Sequence, residues 1–140
     1  MKRYVLDANA LITFIVNRAG ADEVEELLKG TARTVPLLLS VVNWGEVYYC
    51  FWRAGGQRAA EQKMAEVAQM PIEVVDVDQS TAKLAASRKA ERSLPYADCF
   101  AAALAIQQDA GLVTADKDFR VVADQLTIVW IGPSSGRAPN

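Results

Sequence analysis

Histidine is absent from this chain of 140 residues, and cysteine occurs only twice, as Cys50 and Cys99. The first absence removes imidazole as a general base, as a metal ligand and as the middle member of a Ser-His-Asp triad. Together with the scarcity of cysteine it also removes a structural zinc site, which needs about four Cys or His ligands. Both cysteines stand in apolar runs and read as buried thiols of a reducing compartment. No apolar stretch approaches the roughly 20 residues that cross a bilayer. Asp7 and Asn9 interrupt the apolar opening of the chain, and no small-residue cleavage site follows, so no secretory signal is expected. The sequence predicts a cytoplasmic protein. A strong charge of one sign is missing too: 17 acids stand against 15 bases, for a net charge of −2. Taken whole, that balance argues against a nucleic-acid partner. Carboxylates, lysines, hydroxyls and a bound ion remain as sources of chemistry.

What is present is an ordinary globular composition, with 51% apolar and 23% charged residues, long enough for one domain with a real core. Strand and helix patterns alternate. Strands are expected over 3–6, 35–39, 72–75, 112–114 and 127–131. Helices are expected over 8–17, 21–29, from a Ser40 cap to 53, 57–69, 81–92 with Asp78 as cap, and from Pro95 to 110. Gly30, Gly55-Gly56 and Gly111 read as stops. Residues 132–140 hold Gly, Pro and Ser and are expected to be a disordered tail. Strands separated by helices imply parallel pairing with helices on both faces, an α/β doubly wound sheet. Ligands of such sheets sit beyond the carboxyl ends of the strands, where the strand order reverses.

Two acids follow strands: Asp7 and Asp116. Each alone has a plain structural explanation, as a helix cap or a turn residue. Two others lie inside apolar helical sequence: Glu46 in Val41-Val42-Asn43-Trp44-Gly45-Glu46-Val47-Tyr48-Tyr49, and Asp98 in Tyr96-Ala97-Asp98-Cys99-Phe100-Ala101. A helix as apolar as the first is expected to be enclosed by protein on nearly every side. Neither acid has a lysine or arginine three or four positions away. A distant arginine, or the helix dipole for Asp98 just after Pro95, would explain either one. A shared divalent cation explains all four together. Carboxylates about 4 Å apart repel by about 4 kcal/mol at an effective dielectric near 20, and oxygen-only ligation selects Mg²⁺ or Mn²⁺.

In order, the segments Val5-Leu6-Asp7-Ala8-Asn9, Ser40-Val41-Val42-Asn43-Trp44-Gly45-Glu46-Val47, Leu94-Pro95-Tyr96-Ala97-Asp98-Cys99 and Leu112-Val113-Thr114-Ala115-Asp116-Lys117-Asp118-Phe119 resemble the four acidic motifs of PIN-domain ribonucleases. They are nearest to the toxin half of VapBC toxin–antitoxin pairs. The resemblance spans about residues 2–131 and implies a single PIN-like domain over 1–131, with a three-layer α/β/α fold around a central parallel sheet. It implies a metal-dependent endoribonuclease that leaves a 5′-phosphate and a 3′-hydroxyl. Asp7, Glu46, Asp98 and Asp116 are then the catalytic acids and ligands of Mg²⁺ or Mn²⁺. Asn9 and Thr114 would orient water or carboxylates around them. Asp118 could share the fourth position, and is expected as an outer or capping residue. The resemblance also implies RNA as substrate, a small VapB-like antitoxin as partner, and a homodimer.

With four acids assigned to a cation, the remaining charge is slightly basic. Arg88, Lys89 and Arg92 before the Asp98 helix, and Lys117 and Arg120 beside Asp116, are candidates to grip a phosphate backbone. For the first three, plain solvation near a helix end is an equal explanation. Trp44, Tyr48, Tyr49, Phe51 and Trp52 crowd one helix, as core or as a groove for a partner helix. Two rival functions stay open. Asp7-Ala8-Asn9 after a strand also suits a haloacid-dehalogenase-like phosphatase, with Asp7 as nucleophile, although Asn9 cannot shuttle a proton. A binding module with the same fold and no catalysis is the other.

Overall fold

The computed structural model describes residues 2–31 and 35–133. Most of the expected tail, 134–140, lies outside the described residues. Five strands form one parallel sheet: β1 (Tyr4–Leu6), β2 (Leu37–Ser40), β3 (Ile72–Val75), β4 (Gly111–Thr114) and β5 (Ile128–Trp130), in the order β3-β2-β1-β4-β5. The chain winds outward from β1 through β2 to β3, then returns to β4 on the other side of β1. The strand order therefore reverses between β1 and β4, and sheets of this kind bind ligands past the carboxyl ends at such a switch point.

Alternate strand residues feed two cores. Val5, Leu38 and Leu112 point to one face, which α5 (Gln79–Glu91) and α6 (Tyr96–Gln108) cover. Leu6, Leu37, Leu39 and Val113 point to the other, beneath α1 (Ala8–Ile15), α2 (Ala21–Lys29), α3 (Val41–Gly55) and α4 (Gln57–Val67). Strands buried on both faces read as unbroken apolar runs, which is why Leu37, Leu38 and Leu39 occur in a row.

The element types are as expected and most boundaries move by a few residues for local reasons. β2 starts at Leu37, not 35, because Pro36 has no N–H to give to a ladder; Val35 makes only an isolated bridge. α1 stops at Ile15, and Asn17 then takes a left-handed backbone, φ 58°. Ser40 caps α3 through its side chain, which accepts from the Val42 N–H at 3.3 Å. Asp78 caps α5, accepting from the Thr81 N–H at 2.8 Å, so α5 begins at Gln79. α6 ends at Gln108 because Asp109 turns left-handed, φ 50°. Gly111 is not the stop that its position suggested. It begins β4, where an added Cβ would meet the Tyr4 ring at 3.2 Å and a Val129 methyl at 3.3 Å. The sequence pattern also missed a 3-10 helix, Lys117–Val122, which buries Phe119 and Val122 completely.

One packing expectation is corrected. α3 is not enclosed on nearly every side: only Asn43 and Val47 are buried in it, while Tyr49 and Trp52 are 49% and 44% exposed. Bulky rings at spacings of four cover one another instead of the core. Trp44 stacks on Tyr48 with centroids 5.6 Å apart, and Tyr48 meets Trp52 edge-on at 5.7 Å. The enclosed helix is α6, buried from Cys99 through Ala105. Cys99 is a buried free thiol as expected, whereas Cys50, on α3, is only half-buried.

Candidate carboxylate centre

Asp7 follows β1 directly, at the point where the chain leaves the sheet for α1. Its Oδ1 accepts from the Ala10 N–H at 2.7 Å, so it does cap α1. Its Oδ2 accepts from the Thr114 hydroxyl at the end of β4. Thr114 is fully buried and accepts in turn from the Asp116 N–H at 2.9 Å. A single hydroxyl thus ties the acid after β1 to the acid after β4 across the switch point. Asn9 adds a parallel tie, its Oδ1 accepting from the Ala115 N–H at 3.2 Å. Both residues hold the two strand ends together.

Asp98 enters from the first turn of α6, above β1 and β4. One carboxylate oxygen from each of Asp98, Asp116 and Asp118 lies within 4.8 Å of the other two. Asp118 therefore joins the centre through its carboxylate. The capping role expected of it belongs to Asp116, whose Oδ1 accepts from the Asp118 N–H at 2.9 Å and starts the 3-10 helix. Asp7 and Glu46 stand outside that tightest group but act on it electrostatically. Burial first, then Asp116, Glu46 and Asp118, pushes the Asp98 carboxyl up to about 7. Burial also pushes Asp7 up to about 7, with Asp98 and Asp116 adding to the rise; the bonds from Thr114 and Ala10 pull it down. Asp7 and Glu46 thus flank the cluster of three at the carboxyl end of the sheet.

No lysine or arginine forms an ion pair with any of them among the described residues. Their only partners are hydroxyl, amide and backbone donors. Asp7 is buried and Asp98 half-buried, and like charges nearby raise both. Carboxylates so placed, with no counter-charge among the described residues, form a donor set suited to a hard divalent cation.

The basic candidates divide. Arg88 binds Gln125 at 2.6 Å and Glu91 at 2.8 Å, and Lys89 binds the Leu94 carbonyl at 3.1 Å. Arg92 forks onto Asp124 at 3.0 and 3.1 Å and reaches the Val121 carbonyl at 2.6 Å. These three fasten the end of α5 to the 3-10 helix, to the segment after it and to the turn before α6. The side chains of Lys117 and Arg120 are exposed beside Asp116 and make no hydrogen bond or ion pair among the described residues.

Asn43 was in the second motif but had no role assigned from sequence. It is fully buried and donates from Nδ2 to Glu46 Oε1 at 2.7 Å and to the Ala97 carbonyl at 3.1 Å. The available signal was its position three residues before Glu46, which puts both on one face of a helix.

Among solved structures, the chain is similar to VapBC2 from Rickettsia felis bound to a promoter DNA fragment, with 18% identity and a TM-score of 0.71 over 91% of this chain and 98% of that one. It is similar to DNA-bound VapBC from Salmonella typhimurium, with 18% identity and a TM-score of 0.70 over 91% and 97%. A third is the sarcin-ricin loop cleaving toxin VapC20 from Mycobacterium tuberculosis, with 18% identity and a TM-score of 0.66 over 84% and 92%. At these identities the likeness is one of fold. No curated protein matches the chain in sequence. The PIN domain family model matches residues 4–125, from β1 through all five acids and the 3-10 helix. A match of that extent makes the chain a member of the PIN domain family.

Proposed function

We propose that this protein is a metal-dependent endoribonuclease and the toxin of a type II toxin–antitoxin pair. The observation that carries the reading is the cluster of Asp98, Asp116 and Asp118, with Asp7 and Glu46 near enough to act on it and no ion-paired lysine or arginine among the described residues. The solved VapBC and VapC structures of the same fold supply the partner and substrate class.

In this reading Asp7, Glu46, Asp98 and Asp116 hold Mg²⁺ or Mn²⁺, with Asp118 sharing the position of Asp116. A bound divalent ion supplies water acidified toward neutral pH and neutralises charge on the phosphoryl group under attack. The chain's own residues supply the rest. Thr114 and Asn9 fix the Asp7 and Asp116 loops relative to one another, so the carboxylates need no reordering when the ion enters. A carboxylate oxygen has lone pairs beyond the one used by a cap or a hydroxyl, so Asp7 can still ligate. Lys117 and Arg120 are placed to grip RNA phosphates beside Asp116. Arg88, Lys89 and Arg92 are weaker candidates, because each already serves a partner within the fold. The exposed rings of α3, Tyr49 and Trp52, offer an apolar surface for a VapB-like antitoxin or a second copy of the chain. No helix among the described residues is long and apolar enough to cross a membrane.

The rival phosphatase reading needs Asp7 as a free nucleophile. Asp7 is 2% exposed, too enclosed for in-line attack on a phosphate monoester, and Asn9 holds the Ala115 N–H and has no proton to shuttle.

Single-stranded RNA incubated with the protein and Mg²⁺ or Mn²⁺ is expected to be cut to fragments with 5′-phosphates, and EDTA is expected to stop the reaction. Cleavage that persists in EDTA overturns the metal-dependent assignment. The toxin role has its own check. Expression of the protein alone should arrest growth, and Asp7→Ala should relieve the arrest; equal arrest by both forms removes the toxin reading.

A further inference from the structure

Asn43 lies one turn before Glu46 and faces the start of α6. Its amide is wholly buried, and its Nδ2 spends both hydrogens: one on Glu46 Oε1 at 2.7 Å, the other on the Ala97 carbonyl at 3.1 Å. Ala97 is the residue immediately before Asp98. One side chain therefore sets the aim of Glu46 on α3 and joins it to the backbone that carries Asp98 on α6. Its remaining atom, Oδ1, is buried with no hydrogen-bond partner among the described residues. A buried carbonyl oxygen without a donor costs about 1–3 kcal/mol. That cost is out of keeping with a residue whose only task is to pack, since an apolar side chain of the same size would avoid it.

We infer that Asn43 is a positioning residue for the carboxylate centre: it holds Glu46 in the orientation that a divalent cation requires, in register with Asp98. The inference rests on the metal-site reading above and goes further, because it makes the cation affinity depend on a neutral amide that contributes no ligand. Two donated bonds account for the choice of amide. A carboxylate in its place would repel Glu46, and a hydroxyl could serve Glu46 or Ala97 but not both. Glu46 itself makes no ion pair among the described residues. Without Asn43 its side chain, on a half-exposed helix position, is free to swing through its rotamers to solvent.

The test is a Mn²⁺ titration followed by electron paramagnetic resonance, on the full chain and without RNA. Asn43→Leu removes the donors and the orphan oxygen while keeping the branching and heavy-atom count of the side chain, and Asn43→Ser keeps one donor. The expected result is an affinity about tenfold weaker for Asn43→Leu, the scale known for residues that orient metal ligands, with Asn43→Ser in between. In EDTA, the thermal midpoint of Asn43→Leu should stay within a few degrees of the parent, because loss of the orphan oxygen offsets the bulkier methyl groups. Asn43→Leu should weaken Mn²⁺ binding far less in a Glu46→Gln background than in the parent, because Asn43 acts chiefly through Glu46. If Mn²⁺ affinity is unchanged in Asn43→Leu while the parent binds, or if the two substitutions add in full, Asn43 is only a helix clasp and the inference fails. If the parent protein binds no Mn²⁺, it is the metal-site reading that fails. Should Asn43→Leu not fold, the Asn43→Ser variant decides by the same criterion.

Discussion

Asp98→Asn is expected to abolish RNA cleavage while making the metal-free protein more stable. The two effects share one cause. Asp98 sits in the first turn of an otherwise buried helix, with Asp116, Glu46 and Asp118 facing it and no cation alongside. At pH 8 its charge is held against burial and three like neighbours, and an amide of the same shape removes that charge. After discounting for the partial exposure of Asp98, the relief is on the order of 1–2 kcal/mol. For a domain of this length that raises the thermal midpoint by roughly 3–8 °C in EDTA. With saturating Mn²⁺ the order reverses, because the parent gains binding energy that the variant has lost. Cleavage, which needs the cation held at the phosphate, should fall by about 10³-fold, the equivalent of roughly 4 kcal/mol of transition-state stabilisation. Melting curves at pH 8 with EDTA and with Mn²⁺, beside single-turnover cleavage rates, check both halves. A lower midpoint for Asp98→Asn in EDTA would mean that the carboxylate is stabilising as an anion, and the centre would not need a cation.

The stability of the metal-free protein should also fall as pH rises from about 4 to about 7. Asp7 and Asp98 both titrate near 7 in the folded chain and at the ordinary 3.8 when unfolded. Within that window the folded state holds protons that the unfolded state has released. Unfolding then becomes easier with each step up in pH, and levels off above about 7. Asp7 is nearly without solvent contact, and its share is on the order of 3–4 kcal/mol; the share of Asp98 is smaller because it is partly exposed. Asp78 and Asp124 run the other way. Their carboxyls are held below the ordinary value, Asp78 by the Thr81 bonds and Asp124 by Arg92. They lose their contribution only as pH drops below about 4. The thermal midpoint in EDTA should therefore peak near pH 4–5 and be about 10 °C lower at pH 8. Saturating Mn²⁺ should flatten or invert the slope above pH 6, since the cation competes with those protons. A flat midpoint between pH 5 and 8 in EDTA would show that the acids are not packed as described.

Both expectations depend on acids that stand far apart in the chain, and they mark how much was legible in one dimension. The sequence by itself determined the parallel sheet, because apolar runs such as Leu37-Leu38-Leu39 alternate with helical periods. It picked out Asp7, Glu46, Asp98 and Asp116, because acids at strand ends and in apolar helices conflict with their surroundings. Local chemistry likewise fixed the caps at Ser40 and Asp78. Tertiary structure decided what depends on groups distant in sequence: that Thr114 bridges Asp7 to Asp116, that Asp118 enters the centre while Asp116 takes the cap, and that Gly111 is glycine because Tyr4 and Val129 crowd it. It decided that α3 leaves its aromatic face half open, since periodicity reveals that a helix is apolar but not how many neighbours it has. It also sent Arg88 and Arg92 to partners more than 30 residues away, Gln125 and Asp124, and turned Asn43 toward Glu46 and Ala97. Propensity and pattern act over a few residues, whereas hydrogen bonding and desolvation act through space. The sequence could therefore nominate the acids, but only the fold could say what holds each of them in place.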